Sequence, residues 1–148
     1  MKSQKGFTLI EMVIVIAVIG ILMGLVFNGT RSVQSNARDT RRLADLKKIQ
    51  TYLELYYNKC NYYPGTTASC QKSTPSNWAG LKIALGLVAD SGDIPENDPS
   101  GNSYYYAVAE DSFSYLLGAE MERGIPTGGV TSGSIEGRTC GTQIYCVR

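Results

Sequence analysis

The sequence predicts an α+β protein: a long N-terminal helix, its first half of membrane-spanning length, packed on a small antiparallel β-sheet. Three observations carry that prediction. Residues 7–27 form an almost unbroken apolar run. Residues 28–59 contain no proline and repeat apolar side chains at three- and four-residue steps. Short tyrosine-rich runs separated by polar turns follow in the last third of the chain, the pattern of a small sheet.

The first element runs from Phe7 to Phe27, 21 residues broken only by Thr8, Glu11 and small residues. A bilayer core needs ~20 helical residues, so this stretch can span. It is too long for the core of an ordinary secretory signal, and no Ala-x-Ala-like site follows it. A plain signal anchor would account for the length but not for Glu11. A carboxylate at that depth is costly and needs a partner. Gly20, Gly24 and Gly29 weaken the middle of the helix by up to ~1 kcal/mol each relative to alanine. Glycine also permits close helix packing in membranes.

The apolar stripe then passes to Leu43, Leu46, Ile49, Leu53 and Tyr56. The opposite face is assigned Arg38, Arg41, Arg42, Lys47, Lys48 and Glu54. One helix from Phe7 to about Lys59 would be ~80 Å long. It should stop at Cys60–Gly65, because Pro64 cannot continue it. Residues 65–75 read as loop. Ser76 or Asn77 can cap a short helix that buries Trp78, Leu81, Leu85 and Val88. Ser91–Gly101 reads as another loop. Strands are expected over Ser103–Ala109 and Phe113–Leu117, joined at Glu110–Asp111, with a third over Ile144–Val147. Residues 118–139 hold six glycines and read as an extended loop. Tyr104, Tyr105 and Tyr106 cannot all face a core, because strand side chains alternate.

Composition narrows the chemistry. The net charge of +1 offers no bulk field for a nucleic acid. There is no histidine, which removes Ser-His-Asp and Cys-His catalysis and imidazole metal ligands. No catalytic residue is assigned, and an enzyme is not expected. The cysteines Cys60, Cys70, Cys140 and Cys146 fit neither zinc nor Cys-x-x-Cys spacing. An even count in a small exported domain suggests two disulfides, with three connectivities formally open. Cys60–Cys70 and Cys140–Cys146 are favoured because each closes a short local loop. No metal site is assigned.

Gly6-Phe7-Thr8-Leu9-Ile10-Glu11, behind a short leader with Lys2 and Lys5, resembles the start of type IV pilins and type II secretion pseudopilins. The resemblance is closest over Lys5–Leu25. Two later stretches extend it. Ile94–Tyr104 is similar to the Pro-x-x-Asp-Pro-x-Gly-Asn-x-Tyr segment of major secretion pseudopilins, and Tyr56–Pro64 to the turn after their long helix. The chain would then divide into a leader at 1–6, a transmembrane and filament-core helix at 7–27, an amphipathic half at 28–59 and a globular domain at 60–148.

The resemblance implies a structural subunit of a type IV filament, foremost a type II secretion pseudopilus, polymerising through its N-terminal helix. The alternatives are a type IV pilus major pilin or an anchored module that never polymerises. It implies cleavage between Gly6 and Phe7 by a prepilin peptidase and methylation of the Phe7 amine. Cleavage would leave 12 basic against 13 acidic side chains. Glu11 would act in assembly, paired with that amine. Partners would be further copies of the chain, the peptidase, inner-membrane assembly machinery and, before assembly, lipid. Nucleic acid is not favoured. The N-terminus would be cytoplasmic and the C-terminal domain outside, although Arg31, Arg38, Arg41 and Arg42 argue the reverse on a strict positive-inside count. Gly20 falls where pilins have a glycine beside a stretch that melts on assembly. Asn28 stands where many have proline, a departure that looks more like pseudopilins. Major pseudopilins often hold calcium with several aspartates after the position of Tyr115. Here only Glu120, Glu122 and Glu136 are available, so calcium is open but not favoured and no cofactor is expected.

Overall fold

The computed structural model describes residues 6–65, 70 and 77–148, without the side chains of residues 25–31 and 91. Most of the leader, the expected loop over 65–75 and a Ser76 cap thus lie largely or wholly outside the described residues. The chain forms two units, Met1–Ser35 and Asn36–Arg148. Helix α1, Leu9–Cys60, contributes to both.

In the first unit every large apolar side chain from Phe7 to Met23 is exposed. Among the described residues, no helix is long and apolar enough to cross a membrane. The expected span Phe7–Phe27 reaches into residues 25–27, whose side chains are not described.

In the second unit α1 buries Arg42, Leu46, Ile49, Leu53, Tyr56 and Cys60, at alternating steps of four and three. That places them on one face of a helix. The expected stripe is present with one correction. Arg42, assigned to the polar face, is only 1% exposed, and Leu43 packs at the margin of the core. Arg42 lies four residues before Leu46, so helical geometry puts it on the buried stripe whatever its charge. α1 stops where Asn61 turns left-handed (φ 60°) and its N–H donates to the Tyr57 carbonyl at 2.7 Å. Asparagine tolerates that conformation at a helix end, and Pro64 bars any continuation.

α2, Trp78–Leu85, is capped by Asn77, whose side-chain oxygen accepts from the Gly80 N–H at 2.8 Å. It buries Trp78, Leu81, Ala84 and Leu85, while Val88 lies beyond it and is half-buried. A single 3-10 turn, Ser91–Asp93, opens the expected loop.

The sheet comprises β1 (Tyr105–Val108), β2 (Tyr115–Ala119) and β5 (Tyr145–Val147), in the order β1-β2-β5 and antiparallel throughout. Tyr106 pairs with Leu117, and Gly118 with both Tyr105 and Cys146. Tyr104 and Tyr106 are buried and Tyr105 is half-exposed, the alternation that strand geometry demands. The supposed loop over 118–139 contains two more strands, β3 (Ser134–Ile135) and β4 (Arg138–Thr139). Glu136 and Gly137 join them, both with positive φ (50° and 79°). A two-residue hairpin turn needs that conformation, and only Gly137 supplies it without strain.

One face of the sheet joins α1 and α2 in the main core. The other carries a small cluster of Ile135, Cys140, Ile144 and Cys146. Gly118 makes this second cluster fit, since a Cβ there would stand 3.1 Å from Ile144 Cδ1 and 3.3 Å from the Tyr145 carbonyl oxygen.

Cys60 is bonded to Cys70 (Cα–Cα 5.3 Å) and Cys140 to Cys146 (Cα–Cα 5.5 Å). Cys140 and Cys146 are fully buried, whereas Cys70 is exposed. A short-loop disulfide contributes ~2–3 kcal/mol. Replacing Cys140 and Cys146 by serine should cost more than replacing Cys60 and Cys70, because it also puts hydroxyls into the second cluster. Thermal unfolding of the two double variants checks the order, and a larger drop for the Cys60/Cys70 pair would contradict it.

Candidate functional site

Two constellations of polar groups stand out, one in each unit. The first is at the start of α1. Gly6 and Phe7 precede the helix, and Phe7 is 85% exposed. Thr8 and Glu11 bond reciprocally. The Thr8 N–H and hydroxyl donate to Glu11 Oε2 at 2.8 and 2.7 Å, and the Glu11 N–H donates to Thr8 Oγ1 at 3.3 Å. The spacing Thr-x-x-Glu is a capping box, which satisfies N–H groups that a helix start leaves without partners. Sequence reasoning singled out Glu11 and passed over Thr8, although the capping-box spacing was there to read. Thr8 holds one carboxylate oxygen, while the carboxylate itself remains exposed. The site therefore presents a carboxylate in the first turn of a helix whose large apolar side chains are exposed from Phe7 to Met23, close in sequence to Phe7.

The second constellation surrounds Arg42. Its Nε and Nη2 lie 2.7 and 2.6 Å from Asp98 Oδ2. Nη1 reaches Asp39 Oδ1 at 2.6 Å and Glu122 Oε1 at 2.9 Å, and Nη2 donates to Ser100 Oγ at 2.6 Å. Arg38 adds a forked contact to Glu122, Nε to Oε1 at 2.7 Å and Nη2 to Oε2 at 2.5 Å. Asp98 also accepts from the Ser100 and Asn102 N–H groups at 2.9 and 2.7 Å, which folds the Pro95–Tyr104 segment around it. Gly101, at φ 89°, completes that turn. Nearby, the Tyr104 hydroxyl donates to Asp45 Oδ2 at 2.6 Å, and Trp78 Nε1 to the Glu96 carbonyl at 3.2 Å.

The electrostatics follow from these contacts. Hydrogen bonds from Arg38, helped by Arg42 and Ser100, hold the Glu122 carboxyl down at about 2. Burial alone would loosen the Arg42 proton, but bonds to Asp98, Asp39 and Glu122 outweigh it and raise the pKa. Both groups are thus charged across the ordinary pH range.

The structure brings the assigned cysteines together in two pairs and places Gly6, Phe7 and Glu11 along one segment. Among the described residues, no three Cys, Asp or Glu side chains gather where one metal ion could bind them.

Residues 1–27 match the model of the prokaryotic N-terminal methylation motif. The chain is 32% identical to the type II secretion system core protein G of Pseudomonas aeruginosa, covering 83% of this chain and 89% of that protein. It is 29% identical to the type IV wide pilus major component PilA4 of Thermus thermophilus, over 84% and 88% of the two chains. Identity to core protein G of Vibrio cholerae is 26%, over 84% and 86%. No solved structure matches. The likeness extends from the methylation motif through the globular unit, and the chain belongs to the pseudopilin family of type II secretion core protein G, within the type IV pilin-like proteins.

Proposed function

We propose that the chain is the structural subunit of a type II secretion pseudopilus, polymerising through its N-terminal helix after residues 1–6 are removed. One observation carries the reading: a match to the methylation motif stands at the head of a chain that resembles core protein G over most of its length. The physics of the first unit supports it. Apolar side chains exposed all along Phe7–Met23 require a non-aqueous neighbour. Lipid would cover them before assembly, and the helices of other copies afterwards. Residues 7–27 then form the membrane span, with the N-terminus in the cytoplasm. Residues 60–148 lie outside, where two disulfides persist. The role is structural rather than catalytic.

The similarity to PilA4 favours a second reading, a type IV pilus major pilin, because it covers as much of this chain at nearly the same identity. The Asn28 position and the Pro95–Tyr104 segment tip the balance toward the pseudopilus. Deleting the chain from its host separates the two. A pseudopilus subunit is needed for protein secretion, whereas a pilin is needed for surface pili.

Processing provides the direct test. The sheared filament fraction should contain a chain that begins at N-methylated Phe7. Gly6 has no Cβ, so the backbone can enter a tight protease site. Gly6→Arg should leave the chain at its unprocessed mass in the membrane. Normal cutting of that variant, or a mature N-terminus beyond Phe27, would reject the proposal.

A further inference from the structure

Major pseudopilins, which this chain resembles, often hold a calcium ion in the segment after β2, and the residues present here do not fit one. Residues 112–148 contain no aspartate. Among the described residues, their three glutamates do not gather around one point. Glu120 Oε2 lies 3.8 Å from Arg138, Glu122 is engaged by Arg38, Arg42 and Ser100, and Glu136 sits in the β3–β4 turn. A calcium site needs six to eight oxygens around one point.

What fastens that segment is a guanidinium. Arg42 is 1% exposed and contacts acids from three separate stretches: Asp39 on α1, Asp98 between α2 and β1, and Glu122 after β2. Asp39 in turn accepts from the backbone N–H groups of Glu122 and Arg123, at 3.0 and 3.1 Å. Arg38 closes the cluster from the solvent side, with its side chain 35% exposed. We propose that Arg42 is the built-in cation of the globular unit: it anchors the segment after β2 to α1 and to the Pro95–Tyr104 turn, so that this anchoring needs no calcium.

The chemistry suits the role. A guanidinium offers five donors in a fixed fork and stays charged at any pH the protein meets. Unlike a bound ion, it cannot dissociate. Removing it would leave Asp98 buried with an uncompensated charge, the costly way to break such a cluster. A lysine would supply the charge but not the fork that reaches Asp39, Asp98, Ser100 and Glu122 together.

The test is hydrogen exchange on the full chain in detergent micelles, followed by mass spectrometry, in calcium chloride or in EGTA. Protection of residues 120–126 should be the same in both. In Glu122→Gln it should fall about tenfold or more there and stay unchanged over α2, since the loss is of charge-assisted bonds local to the segment. Arg42→Met should lower the thermal midpoint by roughly 10 °C or more. If that variant does not fold, Glu122→Gln still decides the matter. Calcium-dependent protection of residues 120–126 in the unaltered chain would overturn the proposal. So would a Glu122→Gln chain with unchanged protection there, or one that loses protection equally over α2.

Discussion

Glu11→Ala should leave the chain in the membrane and cut, yet absent from filaments. The expected reduction in the sheared fraction is near-complete, because the carboxylate is the only charged side chain between Phe7 and Phe27. Its proposed partner is the Phe7 amine, on the same or an adjacent subunit. Pairing offsets the desolvation of both ions, where a lone carboxylate in hydrocarbon costs several kcal/mol. It also fixes axial register, since apolar helices alone slide past each other with little penalty.

The bonds between Thr8 and Glu11 sharpen this experiment. Glutamine can occupy the last position of a capping box, and alanine cannot. Glu11→Gln therefore keeps the cap and loses the charge, whereas Glu11→Ala loses both. If the charge governs assembly, both variants stay out of filaments. Assembly by Glu11→Gln at the normal level would reduce Glu11 to a helix cap. Membrane level, measured in the same cells against the sheared fraction, controls for insertion.

The second large effect is alkaline unfolding of the globular unit. Burial raises the pKa of Tyr104 and Tyr106 well above the ordinary phenol range, and a bond to Asp45 reinforces the shift at Tyr104. Tyr63 is pushed up to about 12, mainly by burial and then by its bond to Glu54. Tyr56, Tyr105 and Tyr115 also move up, with burial the leading cause in each. Above pH ~10 the unfolded chain releases these protons and the folded chain keeps them. The folded state then binds more protons, so stability falls as pH rises. It is fully present below ~10 and is lost toward the folded-state values. Each such tyrosine costs about 1.4 kcal/mol per pH unit in that window. Tyr104 and Tyr106 together cost about 2.7 kcal/mol per unit, against a total stability of about 5–15 kcal/mol for a domain. Circular dichroism with tyrosinate absorbance should show one cooperative transition between pH ~10 and ~12, reversible on return to neutrality. Smooth titration of all ten tyrosines near pH 10 with the fold intact would contradict the burial argument.

Much of the molecule was legible in the chain itself. Leu46, Ile49, Leu53 and Tyr56 fix which face of α1 is buried, since helical periodicity leaves no second choice. Pro64 and Asn61 end the helix by local geometry. Asn77 caps α2, and alternation at Tyr104–Tyr106 turns two phenols inward. The apolar run with one carboxylate needed no tertiary structure to be recognised as a candidate site. All of these are properties of a few neighbouring residues, and a local rule can reach them.

Only the tertiary structure decided the rest, because the deciding partners are distant in sequence. Arg42 reads as a surface charge until Asp98, Ser100 and Glu122, 56 to 80 residues away, are brought to it. Its burial is affordable only through them. The β3–β4 hairpin looked like loop because a glycine-rich stretch carries little apolar signal. Each strand there is two residues long, and Ile135 is held by packing with Ile144 and the Cys140–Cys146 bond rather than by strand propensity. The sequence by itself therefore determined the helix, most of its buried face and the lone carboxylate near its start. Long-range contact alone determined which charge enters the core and how the segment after β2 is fastened, since a charge is buried only where opposite charges from elsewhere in the chain meet it.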